Sequence, residues 1–131
     1  MNESIRGLVR DYNQAFGDGD FDRLETMLHP DLVFGGAARE IRGAAAYVAG
    51  IRRFGPILVR NDIKEIVVEG DKAFVLYDFV TGTSAGAVLS GELLIFEEGL
   101  IRSITLLWDM RRWPEVLEAL AKPAVAVKAD A

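Results

Sequence analysis

Hydrophobic residues in the first third of the chain recur every three to four positions, which is the spacing of amphipathic helices. The first predicted helix runs from about Glu3 to Phe16 and ends at Gly17-Asp18-Gly19. Its apolar face consists of Ile5, Leu8, Val9, Tyr12 and Phe16. A second helix is predicted over Phe21 to Leu28, and a third, rich in small residues, from Ala44 to about Arg53. Between the second and third helices, Leu32 to Phe34 predicts a short strand.

The pattern changes after Pro56 to long segments rich in β-branched and aromatic residues. Four strands are predicted there, separated by turns that contain glycine: Ile57 to Glu69, Lys72 to Thr83, Ala87 to Glu97 and Leu100 to Met110. Consecutive strands joined by tight turns predict an antiparallel meander. A short terminal helix is predicted over Trp113 to Leu120.

The last two predicted strands are apolar on both faces. Leu93 and Leu107 alternate with Leu94 and Leu106, so neither face of the sheet is polar here. The helices of a small domain can cover only one side of a curved sheet. We therefore expect a homodimer in which the convex sheet face packs on a second copy of the chain.

Length and charge restrict the class of protein. The 131 residues are enough for one domain, predicted over residues 1–121, followed by a flexible tail at 122–131. The net charge of −5 makes nucleic acid and anionic membrane surfaces unexpected partners. With no cysteine and a single histidine, we expect neither thiol chemistry nor a zinc site. No secretory signal is visible, which indicates a cytoplasmic protein.

Asp78 is the main candidate for chemistry. It is the only charged residue within the run from Ala73 to Val80, and strict alternation puts it on one face with Phe74 and Leu76. An unpaired buried carboxylate is costly, so it needs a partner, a proton or a wet cavity. A structural carboxylate held by hydrogen bonds is the alternative.

Pairing of the strands as a meander predicts one concave face that forms an apolar pocket with two carboxylates. The residues expected there are Leu32, Phe34, Leu76, Asp78, Val80, Glu92, Leu94, Leu106 and Trp108. In this hypothesis Asp78 is the general acid or base, while Tyr12 and a protonated Glu92 hold an oxygen that gains negative charge. Phe34, Leu76, Val80, Leu94, Leu106 and Trp108 would contact the ligand.

Several motifs resemble one known superfamily. They are the segment from Tyr12 to Asp22, the segment from Leu28 to Phe34, and the segment from Phe96 to Arg102 that leads to Trp108-Asp109. With the order of elements, they resemble the nuclear-transport-factor-2-like superfamily and its SnoaL-like polyketide-cyclase branch. The resemblance implies a cone-shaped α+β fold, with three N-terminal helices packed on the concave face of a curved antiparallel sheet.

The resemblance to the enzymes of this superfamily is incomplete. Compared with ketosteroid isomerases, Tyr12 matches the tyrosine that stabilises the enolate and Glu92 falls at the protonated aspartic acid, but Gly36 occupies the place of the base. Compared with limonene-epoxide hydrolases, Asp78 falls at the general acid. Leu76 and Leu106 replace the arginine and the second aspartate.

Two functions follow from the pocket and the resemblance. The first is a cofactor-independent isomerase, cyclase or hydrolase that acts on a small ketone, lactone, epoxide or polycycle. The second is a ligand-binding or dimerisation domain that has the same fold but is not catalytic. The missing base and hydrolase partners favour the second, and an open pocket lined by Asp78 and Glu92 would favour the first.

Overall fold

The structure is a computed structural model that describes residues 2–36 and 40–122. The helices are α1 Asn2–Gly17, α2 Phe21–Glu25, α3 Ala44–Ile51 and α4 Trp113–Ala121, with a 3-10 helix at Arg52–Ile57. The strands are β1 Leu28–Gly35, β2 Glu40–Arg42, β3 Leu58–Glu69, β4 Lys72–Thr81, β5 Ala87–Glu97 and β6 Leu100–Trp108. The tail predicted at 122–131 lies, from residue 123 onwards, outside the described residues. Within the described residues no helix combines the length and apolar composition needed to cross a membrane.

The sheet has six strands in the order β2-β1-β6-β5-β4-β3. The predicted antiparallel meander of β3 to β6 is confirmed. The sheet is not antiparallel throughout, because β1 runs parallel to β6, with Phe34 opposite Ile104. Register irregularities in the β3–β4 and β5–β6 pairs mark β-bulges, which bend strands and help to curve a sheet. The α+β class with a curved sheet is confirmed.

The region around β1 differs most from the sequence-based prediction. Helix α2 ends at Glu25 instead of Leu28, and β1 begins at Leu28 instead of Leu32. The cause is tertiary, since the backbone N–H of Ile101 in β6 donates to the carbonyl oxygen of Met27 at 2.9 Å. Strand β2 was not predicted. It has three residues and pairs only with β1, so it carries little periodic signal.

Helix α1 packs on the concave face of the sheet through a buried stripe that includes Val9, Tyr12 and Ala15. Its C-terminal end lies very close to β3. A Cβ atom placed on Gly17 would be 2.6 Å from the backbone nitrogen of Asn61, so only glycine fits here.

The register of β4 against β5 corrects the prediction for Asp78. Tyr77 pairs with Ser90 and Asp78 with Leu89. Ala73, Val75, Tyr77, Phe79 and Thr81 are the buried residues of β4, so its odd-numbered positions form the concave face. The expectation that Asp78 lies on the concave face with Leu76 and Val80 is wrong, because these even-numbered residues project from the convex face.

No helix of the described residues covers the convex face of the sheet. Large apolar side chains are exposed on it, namely Val67, Phe74, Leu89, Leu93 and Leu107. Cross-strand pairing brings them together, since Val67 pairs with Phe74, and Phe74 with Leu93. Leu107 lies opposite Gly91 in the neighbouring row. The protein therefore has an exposed apolar patch, bordered by the ion pair of Asp78 and Lys64, on the side of the sheet away from α1 and α3.

Candidate functional site

A cavity of about 280 Å³ lies between the helices and the concave face of the sheet. Half of its wall residues are aromatic, and they include Phe16, Phe34, Phe54, Phe79, Trp108 and Trp113. Helix α4 closes one side, because the Trp113 ring lies 5.3 Å from that of Trp108 and 6.2 Å from that of Phe54. An aromatic wall of this kind suits a small apolar ligand.

Glu92 of β5 is the acidic residue of this wall. It is only 3% exposed, and its Oε2 accepts a hydrogen bond of 2.9 Å from the hydroxyl of Tyr77. The other carboxyl oxygen, Oε1, has no hydrogen-bond partner among the described residues. A buried polar atom without a partner is unusual in a folded protein, and it is therefore a candidate contact for a ligand.

Burial raises the pKa of Glu92 from its ordinary value of 4.5 to about 7, and the nearby hydroxyls of Tyr77 and Tyr12 oppose this rise. Desolvation dominates because the apolar wall stabilises a charged carboxylate much less than water does. A carboxyl group that titrates near neutral pH can both donate and accept a proton under physiological conditions.

A pair of buried tyrosine hydroxyls lies near Glu92. The hydroxyls of Tyr12 and Tyr47 are 2.6 Å apart, and either can be the donor. Burial raises the pKa of both phenols above the ordinary value, as does the nearby charge of Glu92, so both stay neutral. Tyr47 of α3 lines the cavity, whereas Tyr12 of α1 lies behind it as a fully buried partner. The pair therefore presents a neutral hydroxyl on the cavity wall.

The other polar groups of the wall are Ser90, Arg53 and the indole of Trp108. The Ser90 hydroxyl donates to the carbonyl oxygen of Val88. The buried indole N–H of Trp108 has no acceptor among the described residues. Arg53 is exposed, so the cavity reaches the protein surface at this residue.

Four residues predicted for the pocket lie on the cavity wall: Phe34, Glu92, Leu106 and Trp108. Leu94 is on the concave face, but it is fully buried in the core and is not part of the wall. Gly36, which aligns with the base of ketosteroid isomerases, also lines the cavity, where a Cβ atom would be 3.6 Å from the Trp108 ring. The cavity thus has no side chain at the position of that base.

Asp78, Leu76 and Val80 are not part of the cavity. Asp78 projects from the convex face, where its Oδ2 lies 3.3 Å from Nζ of Lys64. The side chain is 26% exposed and the ion pair is accessible to water. The alternative of a carboxylate with a structural partner therefore describes Asp78 better than a role as acid or base.

Among the polar wall residues, sequence reasoning missed Tyr47, Tyr77, Ser90 and Arg53. Tyr77 precedes Asp78 directly, in a strand whose odd-numbered and even-numbered residues are both largely apolar, so alternation did not identify the buried face. Tyr47 is the large aromatic residue of an alanine-rich helix. Its presence indicates that the helix packs through the face that carries Tyr47. No sequence signal distinguishes Arg53 from Arg52.

Within residues 2–36 and 40–122 no group of three or more histidine, cysteine, aspartate or glutamate side chains is arranged to hold a metal ion. The polar groups on the cavity wall are a carboxyl group, hydroxyls, an indole N–H and a guanidinium. These groups are suited to hydrogen bonding and proton transfer.

The model of the SnoaL-like domain family matches residues 9–104 of the chain. No curated protein matches the sequence. Among solved structures the chain is similar to an NTF2-like protein of unknown function from Cytophaga hutchinsonii ATCC 33406, with 20% identity and a TM-score of 0.74 over 85% of this chain and 95% of that chain.

Two further structures carry functional descriptions. A provisionally assigned ketosteroid isomerase from Kribbella flavida DSM 17836 is 19% identical, with a TM-score of 0.75 over 82% of this chain and 79% of that chain. A provisionally assigned polyketide cyclase from Sinorhizobium meliloti is 21% identical, with a TM-score of 0.68 over 76% of this chain and 93% of that chain. At these identities the likeness establishes the fold and not the reaction.

Proposed function

The chain belongs to the SnoaL-like domain family, and from this premise we propose that it binds a small, mostly apolar molecule in the cavity and performs cofactor-independent acid–base chemistry on it. The reaction class is that of an isomerase, cyclase or hydrolase. Glu92 is the proton donor and acceptor. This role replaces the one that the sequence suggested for Asp78.

The observation that carries the proposal is the position of Glu92 in the cavity wall. Tyr77 holds one carboxyl oxygen, while the other has no partner among the described residues. The pKa of about 7 leaves comparable amounts of acid and carboxylate at neutral pH. A fixed carboxyl group with one unoccupied oxygen and a pKa near neutrality has the properties of an efficient general acid–base catalyst.

The proton transfer needs only the ligand and Glu92. The carboxylate takes a proton from a carbon next to a carbonyl group, and the C–H electron pair moves to the carbonyl oxygen to form an enolate. Glu92 then returns the proton to the same or another carbon. Tyr47 and Trp108 are the wall residues that can donate hydrogen bonds to the enolate oxygen.

Exchange of α-protons tests this role without knowledge of the natural substrate. The probe is 2-tetralone, a bicyclic ketone, in deuterated buffer, and its exchange is followed by NMR. We expect the protein to accelerate exchange and Glu92→Gln to lower the enzymatic rate by at least about 100-fold. Asp78→Asn is the matched control, since it also converts a strand carboxylate to an amide, but on the opposite face of the sheet. Equal rates for wild type and Glu92→Gln would overturn the assignment.

A second candidate function is ligand binding without catalysis. Gly36 favours it, because the cavity lacks a side chain where ketosteroid isomerases have their base. The same experiment separates the two functions. If 2-tetralone binds to the protein but its α-protons exchange at the rate of the buffer alone, the domain is a binding module.

We also propose that the convex face binds a second copy of the chain. Four strands about 4.8 Å apart and about nine residues long give the whole convex face an area of roughly 600 Å², which approaches the roughly 800 Å² per partner of stable interfaces. The row that contains Val67, Phe74 and Leu93 is apolar across three strands. An apolar patch is complementary to itself, and two copies related by a twofold axis bury it together.

A further inference from the structure

Arg53 stands out among the residues of the cavity wall. It is exposed at the surface end of the cavity and has no ion pair with any described residue. The neighbouring Arg52 is different, because its guanidinium lies 2.5 Å from Oδ1 of Asp22 and 5.9 Å from the centre of the Phe21 ring. Arg52 is absent from the cavity wall. The two consecutive arginines of the 3-10 helix therefore differ in their surroundings. Arg52 contacts Asp22 and Phe21 of α2, whereas Arg53 lines the cavity.

The cavity has only two charged residues in its described wall, Arg53 and Glu92. Glu92 is buried, whereas Arg53 is exposed, so the two charges occupy the inner part and the mouth of the cavity. The remaining wall is apolar or neutral. The protein as a whole carries a net charge of −5, which repels anions from most of its surface. The guanidinium of Arg53 at the mouth of the cavity instead attracts anions to this part of the surface.

We propose that the ligand is an amphipathic carboxylic acid, whose apolar body fills the aromatic cavity and whose carboxylate binds Arg53 at the mouth. This inference rests on the proposed function, in which the cavity is the ligand site. It adds the chemical class of the ligand and its orientation.

The physical reason is the complementarity of a guanidinium and a carboxylate. The planar fork of arginine can form two parallel hydrogen bonds to the two carboxylate oxygens. Apolar surroundings on one side strengthen such a pair relative to one in water. The charge of Glu92 repels the carboxylate from the inner part of the cavity, so the anionic end faces outwards. The apolar end, and any C–H bond that reacts, then faces Glu92.

A pair of probes that differ in one group tests the proposal. The probes are 2-naphthoate and 2-naphthalenemethanol, which share the bicyclic body, and their binding is measured by isothermal titration calorimetry at pH 8. We expect wild type to bind the carboxylate at least about fivefold more tightly than the alcohol. Arg53→Gln is expected to remove this preference, because the carboxylate loses more affinity than the alcohol. Arg53→Lys keeps the positive charge and is expected to retain part of the preference for the carboxylate.

Arg52→Gln is the matched control, since it removes an identical charge one residue away that does not line the cavity. We expect it to leave the affinity for both probes unchanged. Arg53 is exposed, so Arg53→Gln should melt at the wild-type temperature, which circular dichroism checks.

Each unfavourable outcome has a distinct meaning. If wild type binds both probes equally, or if Arg52→Gln and Arg53→Gln have the same effect, the carboxylate inference is wrong while the cavity remains a ligand site. If wild type binds neither probe at millimolar concentration, both the inference and the proposed cavity ligand are overturned.

Discussion

Tyr77 and Glu92 lie diagonally across strands β4 and β5, and the tyrosine hydroxyl donates to Oε2 of Glu92 at 2.9 Å. The direct partners in the register are Ser90 for Tyr77 and Val75 for Glu92. Side chains on this diagonal can meet when both are long. The hydrogen bond fixes the position of a carboxyl group that is buried and titrates near neutral pH. This relationship links the register of two strands to the chemistry of the cavity.

The first prediction concerns stability as a function of pH. Because the pKa of Glu92 is raised to about 7 from 4.5, the folded state binds the proton more tightly than the unfolded state. The contribution of this group to the free energy of unfolding is therefore largest below about pH 4.5, and is lost as the pH rises through about 7. The loss is on the order of 3 kcal/mol.

Glu92→Gln should remove this loss, since a neutral amide imitates the protonated acid at every pH. The free energy of unfolding, measured by urea denaturation between pH 5 and pH 8, should fall more steeply for wild type than for the variant. The difference between the two curves cancels the contributions of other titrating groups. Parallel curves would contradict the raised pKa.

The second prediction concerns the carboxylate on the other face of the sheet. Asp78→Asn should leave the rate of α-proton exchange unchanged, because the side chain is outside the cavity. It should lower stability by no more than about 1 kcal/mol, since the ion pair with Lys64 is accessible to water. Exchange rates and urea denaturation check the two parts. If Asp78→Asn lost as much exchange activity as Glu92→Gln, the assignment of proton transfer to the concave face of the sheet would be wrong.

The third prediction concerns the convex apolar face. Leu107, which is 64% exposed there, should lie within the proposed dimer interface. Leu107→Glu would bury a charge in that interface and should yield a monomer in sedimentation velocity. Leu117→Glu is the matched control, because Leu117 is 52% exposed but belongs to α4. A monomeric wild type, or dissociation by the α4 variant alone, would refute the interface.

The fourth prediction compares two glycines of helix α1. Gly17→Ala should destabilise the protein by about 1–3 kcal/mol, because the added methyl group would lie 2.6 Å from the backbone nitrogen of Asn61. Gly7→Ala should stabilise it by up to about 1 kcal/mol, since nothing lies within 4 Å of the new atom and alanine favours the helix. Thermal and urea denaturation of both variants provide the measurement. If both variants changed the stability equally, the close contact between Gly17 of α1 and Asn61 of β3 would be contradicted.

Tyr12 and Asp78 differ in whether the sequence pattern identifies the buried face of their element. Tyr12 lies in a helix with one apolar face, so its buried position follows from the period of 3.6 residues. Asp78 lies in a strand whose two sets of alternate residues are both apolar, so the period of two does not identify the inner face. Pattern alone had no means of choosing between Asp78 and its neighbour Tyr77.

The sequence by itself determined the α1 face and the meander from β3 to β6, because each depends on local periodicity and turn residues. Only the tertiary structure decided that Tyr77, and not Asp78, faces the cavity. The reason is the β4–β5 register, which pairs Val80 with Ala87 and so matches even-numbered residues of β4 with odd-numbered residues of β5. The same holds for Tyr47 and Arg53, which reach the cavity through the packing of α3 and the following 3-10 helix against the sheet.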